Sequence, residues 1–161
     1  MELEAVRNNE SIQIVALEQT FEREFNHPKL PFPVLIKGNV DRIERRDGKI
    51  RIIDYKTGKV DKANVVLKTW NGLTQELKND KIIQVLAYAY MFEEHAGNLP
   101  IEVGIISFKN LKSGFLPFGF KEDKDLKVIV TPEILNSYLD EIANLLSEIF
   151  DMNIPFEEKF K

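Results

Sequence analysis

The stretch Val40-Asp41-Arg42-Ile43-Glu44-Arg45-Arg46-Asp47-Gly48-Lys49-Ile50-Arg51-Ile52-Ile53-Asp54-Tyr55-Lys56 decides the fold. Two β-branched, alternating arms flank Asp47-Gly48, a dipeptide favoured where a two-residue hairpin turn needs positive φ at both centres. The sequence therefore predicts strands over residues 34–44 and 49–55. Counting outward from the turn, Ile43 faces Ile52, and Glu44 faces Arg51 on the other side, as cross-strand pairing prefers. The same count sets Asp41 against Asp54. Two carboxylates so placed, beside an apolar pair, stand about 5 Å apart. Their repulsion is roughly 3 kcal/mol at an effective dielectric of about 20 and about 0.8 kcal/mol in water.

Folding alone has no need of that repulsion, so something must neutralise it. Lys56, two residues past Asp54 and on the same face, is one candidate. A divalent cation is the better one: a hard ion such as Mg²⁺ takes one or two carboxylates, keeps several waters and leaves positions for phosphate oxygens. Lys56 is then released to orient or help deprotonate an attacking water and to stabilise transition-state charge. The competing reading is a hairpin edge where Asp41 and Asp54 only cap the chain or pair with Lys56.

Outward from the hairpin, Ile14, Leu17, Phe21 and Phe25 share one side of a helix expected over residues 11–25, with Ser11 as its N-cap. Three prolines make residues 26–33 a loop. The lysine-bearing stretch after Thr57-Gly58, as far as Lys81, has no clear assignment and reads as a loop or lid. Residues 82–95 are apolar nearly all round, as in a helix buried against a sheet. Strands are expected over 101–108 and 115–120, with a third over 127–130. Thr131-Pro132-Glu133 opens a final helix, whose buried stripe is Ile134, Tyr138, Ile142, Leu145 and Ile149. This order predicts an α+β, or mixed α/β, single domain.

The chain has 161 residues, enough for one core. Hydrophobic residues at 43% exclude a disordered or collagen-like chain. There is no cysteine, so these residues hold no disulfide, thiolate zinc site or iron–sulfur cluster. No apolar run is long enough to span a bilayer. The Met-Glu-Leu-Glu start lacks a secretion-signal pattern, and a cytoplasmic protein is expected. Net charge is −4, yet residues 37–68 hold ten basic and five acidic side chains. One region is therefore suited to a polyanion while the rest is not.

Gly38-Asn39-Val40-Asp41-Arg42-Ile43-Glu44, then Ile52-Ile53-Asp54-Tyr55-Lys56-Thr57-Gly58, then Gln84 with Tyr88 four residues on, resembles the RecB-like branch of the PD-(D/E)xK nucleases. The resemblance runs from about Glu18 to Tyr90. It implies a restriction-endonuclease-like core, a central mixed sheet with a catalytic hairpin flanked by helices. It also implies a Mg²⁺- or Mn²⁺-dependent deoxyribonuclease. Asp41, Asp54 and the backbone carbonyl of Tyr55 would hold the metal, and Lys56 would act on the water. Glu18 is the expected ligand from the preceding helix, with Glu22 as runner-up. Gln84 and Tyr88 would line the active site and help position DNA; alternatively, Tyr88 is ordinary core and Gln84 is satisfied by backbone.

Arg42, Arg45, Arg46, Lys49, Lys59, Lys62 and Lys68 are candidates for phosphate contacts, with a solvated face as the plainer reading for those flanking the turn. Trp70 is a candidate for base stacking or for core. His27 and His95 have no second histidine at ligand spacing and are assigned nothing. Two departures from the family pattern stand out. Val40-Asp41 replaces Pro-Asp, and the cysteine cluster that holds an iron–sulfur centre in many relatives is missing. The expectation is a single nuclease domain over 1–161, free-standing or the C-terminal part of a larger protein. It would be exonucleolytic, tied to recombination or repair, and served by a helicase or other recombination protein. The alternative is a noncatalytic DNA-binding or assembly module that keeps the nuclease fold.

Overall fold

The hairpin forms as its turn dipeptide dictates. In the computed structural model, which describes residues 11–158, β2 (Val34–Arg46) and β3 (Lys49–Lys56) pair antiparallel, with Ile43 opposite Ile52 and Glu44 opposite Arg51. Asp47 and Gly48 both take positive φ, 50° and 74°, as a type I′ turn requires. The Met-Glu-Leu-Glu opening lies outside the described residues.

Residues expected to form the first helix form a strand instead, β1 (Ile12–Phe25), paired antiparallel along β2 from Ile12↔Arg46 to Phe25↔Val34. The apolar spacing that mimics a helix belongs to a strand whose alternation is interrupted. The register shifts between Ile14 and Ala16, and Glu18 takes a φ of 47° in mid-strand. Ala16 and its partner Ile43 face the main core above that step. Below it, Phe21 packs edge-on to Phe92, and a Cβ on its partner Gly38 would lie 3.2 Å from the Tyr88 ring. The inward positions thus change parity across Glu18 and Asp41, so Phe21 and Phe25 turn inward while Ile14 and Leu17 stay exposed.

The five-stranded sheet runs in the order β1-β2-β3-β5-β6, with β5 (Ile101–Ser107) parallel to β3 and β6 (Phe115–Pro117) antiparallel to β5. Parallel neighbours need a long crossover, and residues 57–100 supply it. The unassigned stretch is made of short 3₁₀ turns and β4 (Val66–Leu67), leading into α1 (Asp80–Glu93). That helix packs on the sheet with Ile82, Val85, Leu86, Ala89, Met91 and Phe92 all buried. The expected strand 115–120 divides in two. Its second part is β7 (Gly119–Glu122), which joins β4 and β8 (Asp125–Lys127) in a three-stranded sheet. The last helix, α2 (Pro132–Phe150), is capped by the Thr131 hydroxyl, which accepts from the Ile134 N–H. It is docked on α1 by the buried Tyr138, whose hydroxyl donates to the Ile83 carbonyl at 3.1 Å. Leu145 and Ile149, expected in its stripe, are half-buried and exposed respectively. The architecture is the expected mixed α+β arrangement, a central mixed sheet flanked by helices.

β5 is buried along its whole length, and its middle residue is Gly104 because β6 comes too close for anything larger. A Cβ there would stand 2.1 Å from the Leu116 carbonyl oxygen, and neither backbone can yield without breaking the pairing. Gly104→Ala is expected to cost about 3 kcal/mol, the upper end of overpacking. That amounts to a fall of roughly 6–12 °C in Tm for a domain of this size, to be read by calorimetry or circular dichroism.

Candidate active site

The β2–β3 ladder ends at Arg42↔Ile53, one step short of the two carboxylates. Asp41 and Asp54 are therefore not the ladder pair expected from the count. Asp41 instead reaches across the gap, its Oδ2 accepting the Tyr55 N–H at 2.8 Å. This places a carboxylate on a strand amide that β2 no longer satisfies. Burial chiefly pushes the Asp54 carboxyl above its ordinary range, Lys56 pulls it down, and the Asp41 charge pushes it up again.

Asp54 is 4% exposed. Lys56 Nζ stands 2.9 Å from its Oδ2 as an ion pair. That oxygen is nevertheless buried without an aligned hydrogen bond. The ammonium is drawn aside by the helix, donating to Gln84 Oε1 at 2.6 Å, while Gln84 Nε2 donates to the Tyr88 hydroxyl at 2.8 Å. Lysine has no acceptor, so it fixes the orientation of the Gln84 amide. That in turn leaves the Tyr88 O–H hydrogen free to point elsewhere. Burial, together with the Asp54 and Asp41 charges, raises the Tyr88 pKa, so the phenol stays protonated. Gln84 and Tyr88 lie one turn apart on α1, and Gly38 of β2 leaves the space in which the Tyr88 ring sits.

Of the residues singled out from sequence, Asp41, Asp54, Lys56, Gln84 and Tyr88 come together. Glu18 does not join them as expected. It sits on a strand rather than a helix, is exposed, and lies between Leu17, opposite Arg42, and Gln19, opposite Val40, with no partner of its own in the register. Glu22 is exposed and lies 3.6 Å from Lys37. Among the described residues no group of three or more His, Asp or Glu gathers at metal-holding spacing. Tyr55 offers its amide to Asp41, and its ring stacks on Phe108 at 5.6 Å. Arg42 is buried and paired with Glu44, and Arg46 stands 3.8 Å from the same carboxylate. Neither is placed as an open phosphate contact. Trp70 stacks on Phe120 at 5.2 Å, and His27 pairs with Asp140 at 2.9 Å.

The donor set fits a hard divalent cation. It consists of two carboxylates of neighbouring strands, one of them with a buried oxygen lacking an aligned donor. Sequence reading missed Ser107, fully buried, whose Oγ donates to the Gly58 carbonyl at 2.7 Å and accepts the Val60 N–H at 3.2 Å. It ties the chain leaving the site to the end of β5. A serine closing an apolar strand carries no signal of its own, because its role depends on β5 lying beside β3.

A family model described as the PD-(D/E)XK nuclease superfamily matches residues 1–161. No curated protein matches the chain. A solved structure titled "Crystal structure of SSO0001" is similar to it with a TM-score of 0.38 and 16% identity, covering 96% of this chain. The chain spans 57% of the length of that one.

Proposed function

The chain belongs to the PD-(D/E)XK nuclease superfamily, and from that premise we propose that it is a divalent-metal-dependent deoxyribonuclease of the RecB-like branch, acting as an exonuclease in recombination or repair. The observation that carries this reading is the unbroken line Asp54–Lys56–Gln84–Tyr88, with Asp41 beside it. The branch, the exonucleolytic action and a helicase or other recombination partner rest on the Gly38–Glu44 and Asp54–Gly58 strings.

Asp41 and Asp54, with the Tyr55 carbonyl, would hold Mg²⁺ or Mn²⁺, which supplies Lewis-acid activation of water and of the phosphate. Lys56 has three N–H donors. One is held by Gln84, and the others face Asp54 and the space where a phosphate oxygen or attacking water would stand. There the ammonium orients the nucleophile and stabilises charge that grows on the phosphoryl oxygens. Gln84 holds the lysine in place while it pairs with Asp54. Tyr88, kept neutral, offers its proton as a hydrogen bond to a non-bridging oxygen.

A noncatalytic DNA-binding module is the second reading, favoured by the convergence of only two carboxylates among the described residues. Both are tested by incubating end-labelled linear DNA and closed circular DNA with the protein in Mg²⁺, Mn²⁺ or EDTA. Linear DNA is expected to be degraded only with metal, while circles persist. Intact linear DNA in both metals would leave the noncatalytic reading standing, and nicked circles would replace exonuclease by endonuclease.

A further inference from the structure

β1 is the outermost strand of the five-stranded sheet, and among the described residues no strand pairs with its outer edge. Sheet edges are normally guarded against further pairing by shortness, charge or proline. The opposite edge is guarded in this way: β6 has three residues and ends in Pro117. The lower half of β1 is guarded too, with Glu18, Glu22 and Glu24 all exposed. The upper half is not. Ile12-Gln13-Ile14-Val15-Ala16-Leu17 carries no charge, proline or glycine, and Ile14, Val15 and Leu17 are 44%, 45% and 56% exposed. A short, uncharged, β-branched run of this kind pairs readily with another strand.

The step in β1 decides which strand fits. Ile12, Ile14 and Leu17 stand opposite Arg46, Glu44 and Arg42, and so lie on the sheet face turned away from Ile43. Gln13 and Ala16, opposite Arg45 and Ile43, share the other face. Residues directly opposed in an antiparallel pair lie on one face. The extra residue at Val15 therefore makes the segment complementary to itself. Two copies laid antiparallel about a two-fold axis between Ile14 and Val15 oppose Ile12 with Leu17, Gln13 with Ala16, and Ile14 with Val15. In an unbroken strand the same pairing would set every residue against one from the other face. No like charges meet along the seam, and Glu18, with its φ of 47°, closes it.

We propose that Ile12–Leu17 is the seam of a homodimer, in which the β1 strands of two copies pair antiparallel and join two five-stranded sheets into one. Each copy keeps its own Asp41 and Asp54, on the strands behind the seam. The two-fold match of apolar with apolar favours a second copy over a strand of another protein. Six residues a side form a small interface beside the roughly 1,200–2,000 Å² of a stable complex, so the dimer is a reversible one. The inference does not depend on the nuclease reading.

Sedimentation velocity of the full chain across the micromolar range is expected to show the mass rising from one chain to two. Ile14→Lys/Leu17→Lys, at two exposed positions, should stay at one chain throughout, with an unchanged circular dichroism spectrum. Because the chain has no cysteine, introduced thiols report the register. Oxidising a mixture of Ile12→Cys and Leu17→Cys chains should give a covalent dimer, whereas neither variant alone should. In this register Ile12 stands roughly 16 Å from its own copy, beyond the reach of about 7 Å that a disulfide allows, and the same holds for Leu17. A single-chain mass at every concentration would overturn the proposal, as would a dimer that the lysine variant leaves intact. Cross-linking of either cysteine variant alone as efficiently as the mixture would overturn it as well.

Discussion

Asp54→Asn is expected to lower DNA cleavage by at least about a thousandfold while making the metal-free protein more stable at neutral pH. The first effect follows from the loss of one of two carboxylate ligands. A thousandfold corresponds to roughly 4 kcal/mol of transition-state stabilisation, within the several kcal/mol a Lewis acid contributes. The second follows from linkage. Burial holds the Asp54 carboxyl above its ordinary range, so the folded chain binds that proton more readily than the unfolded one. The stability this contributes is fully present below the unfolded value, about 3.9, and is lost as the pH rises through the raised folded value. Above that folded value the wild-type chain holds a buried charge that asparagine lacks. Thermal melts with and without Mn²⁺ read both effects together. The ion should raise the wild-type Tm and leave that of Asp54→Asn unmoved, and the wild-type gain should shrink as the pH falls and protons compete for the carboxylate. An equal Mn²⁺ shift in the variant would remove Asp54 from the ligand set.

Lys56→Met separates the lysine from the metal. Cleavage should fall by about a hundredfold or more, in the range seen when a single preorganised charge donor is removed. Mn²⁺ affinity should hold or improve, because Asp54 loses the cation that competes for its Oδ2. The metal-free fold should lose about 1–2 kcal/mol. This is less than the 3–5 kcal/mol of a fully buried pair, because the Lys56 side chain is 28% exposed. Gln84→Ala alone should slow cleavage by a smaller factor. Added to Lys56→Met it should slow cleavage no further, since Gln84 reaches the chemistry through the ammonium it holds. Full cleavage by Lys56→Met, or a further large loss in the double variant, contradicts these roles.

The hairpin was legible because its information is local. Asp47-Gly48 sets the turn, and the turn sets the register from Arg46↔Lys49 to Arg42↔Ile53. The last step failed because it is not local: β2 also has to follow β1, and the irregularity at Glu18 releases Asp41 from the ladder. Residues 12–25 misled for a related reason. Their apolar spacing fits a helix, and only the long partner strand beginning at Val34 makes a strand the better burial of Ala16, Phe21 and Phe25. Gln84 was readable as a polar group in need of a partner inside an apolar helix. Which partner it takes depends on α1 crossing the end of β3.

The parallel seam between β3 and β5 has a consequence for the order of assembly. Asp54 lies beside Ile105, and Lys56 beside Ser107, so the acidic pair is only half enclosed until a ribosome has released roughly fifty residues beyond it. Until then the hairpin has β1 along one edge and lacks β5 along the other. Asp41, Asp54 and Lys56 travel together in the hairpin, and what the later chain adds is Gln84 and Tyr88 from α1 and the covering edge of β5.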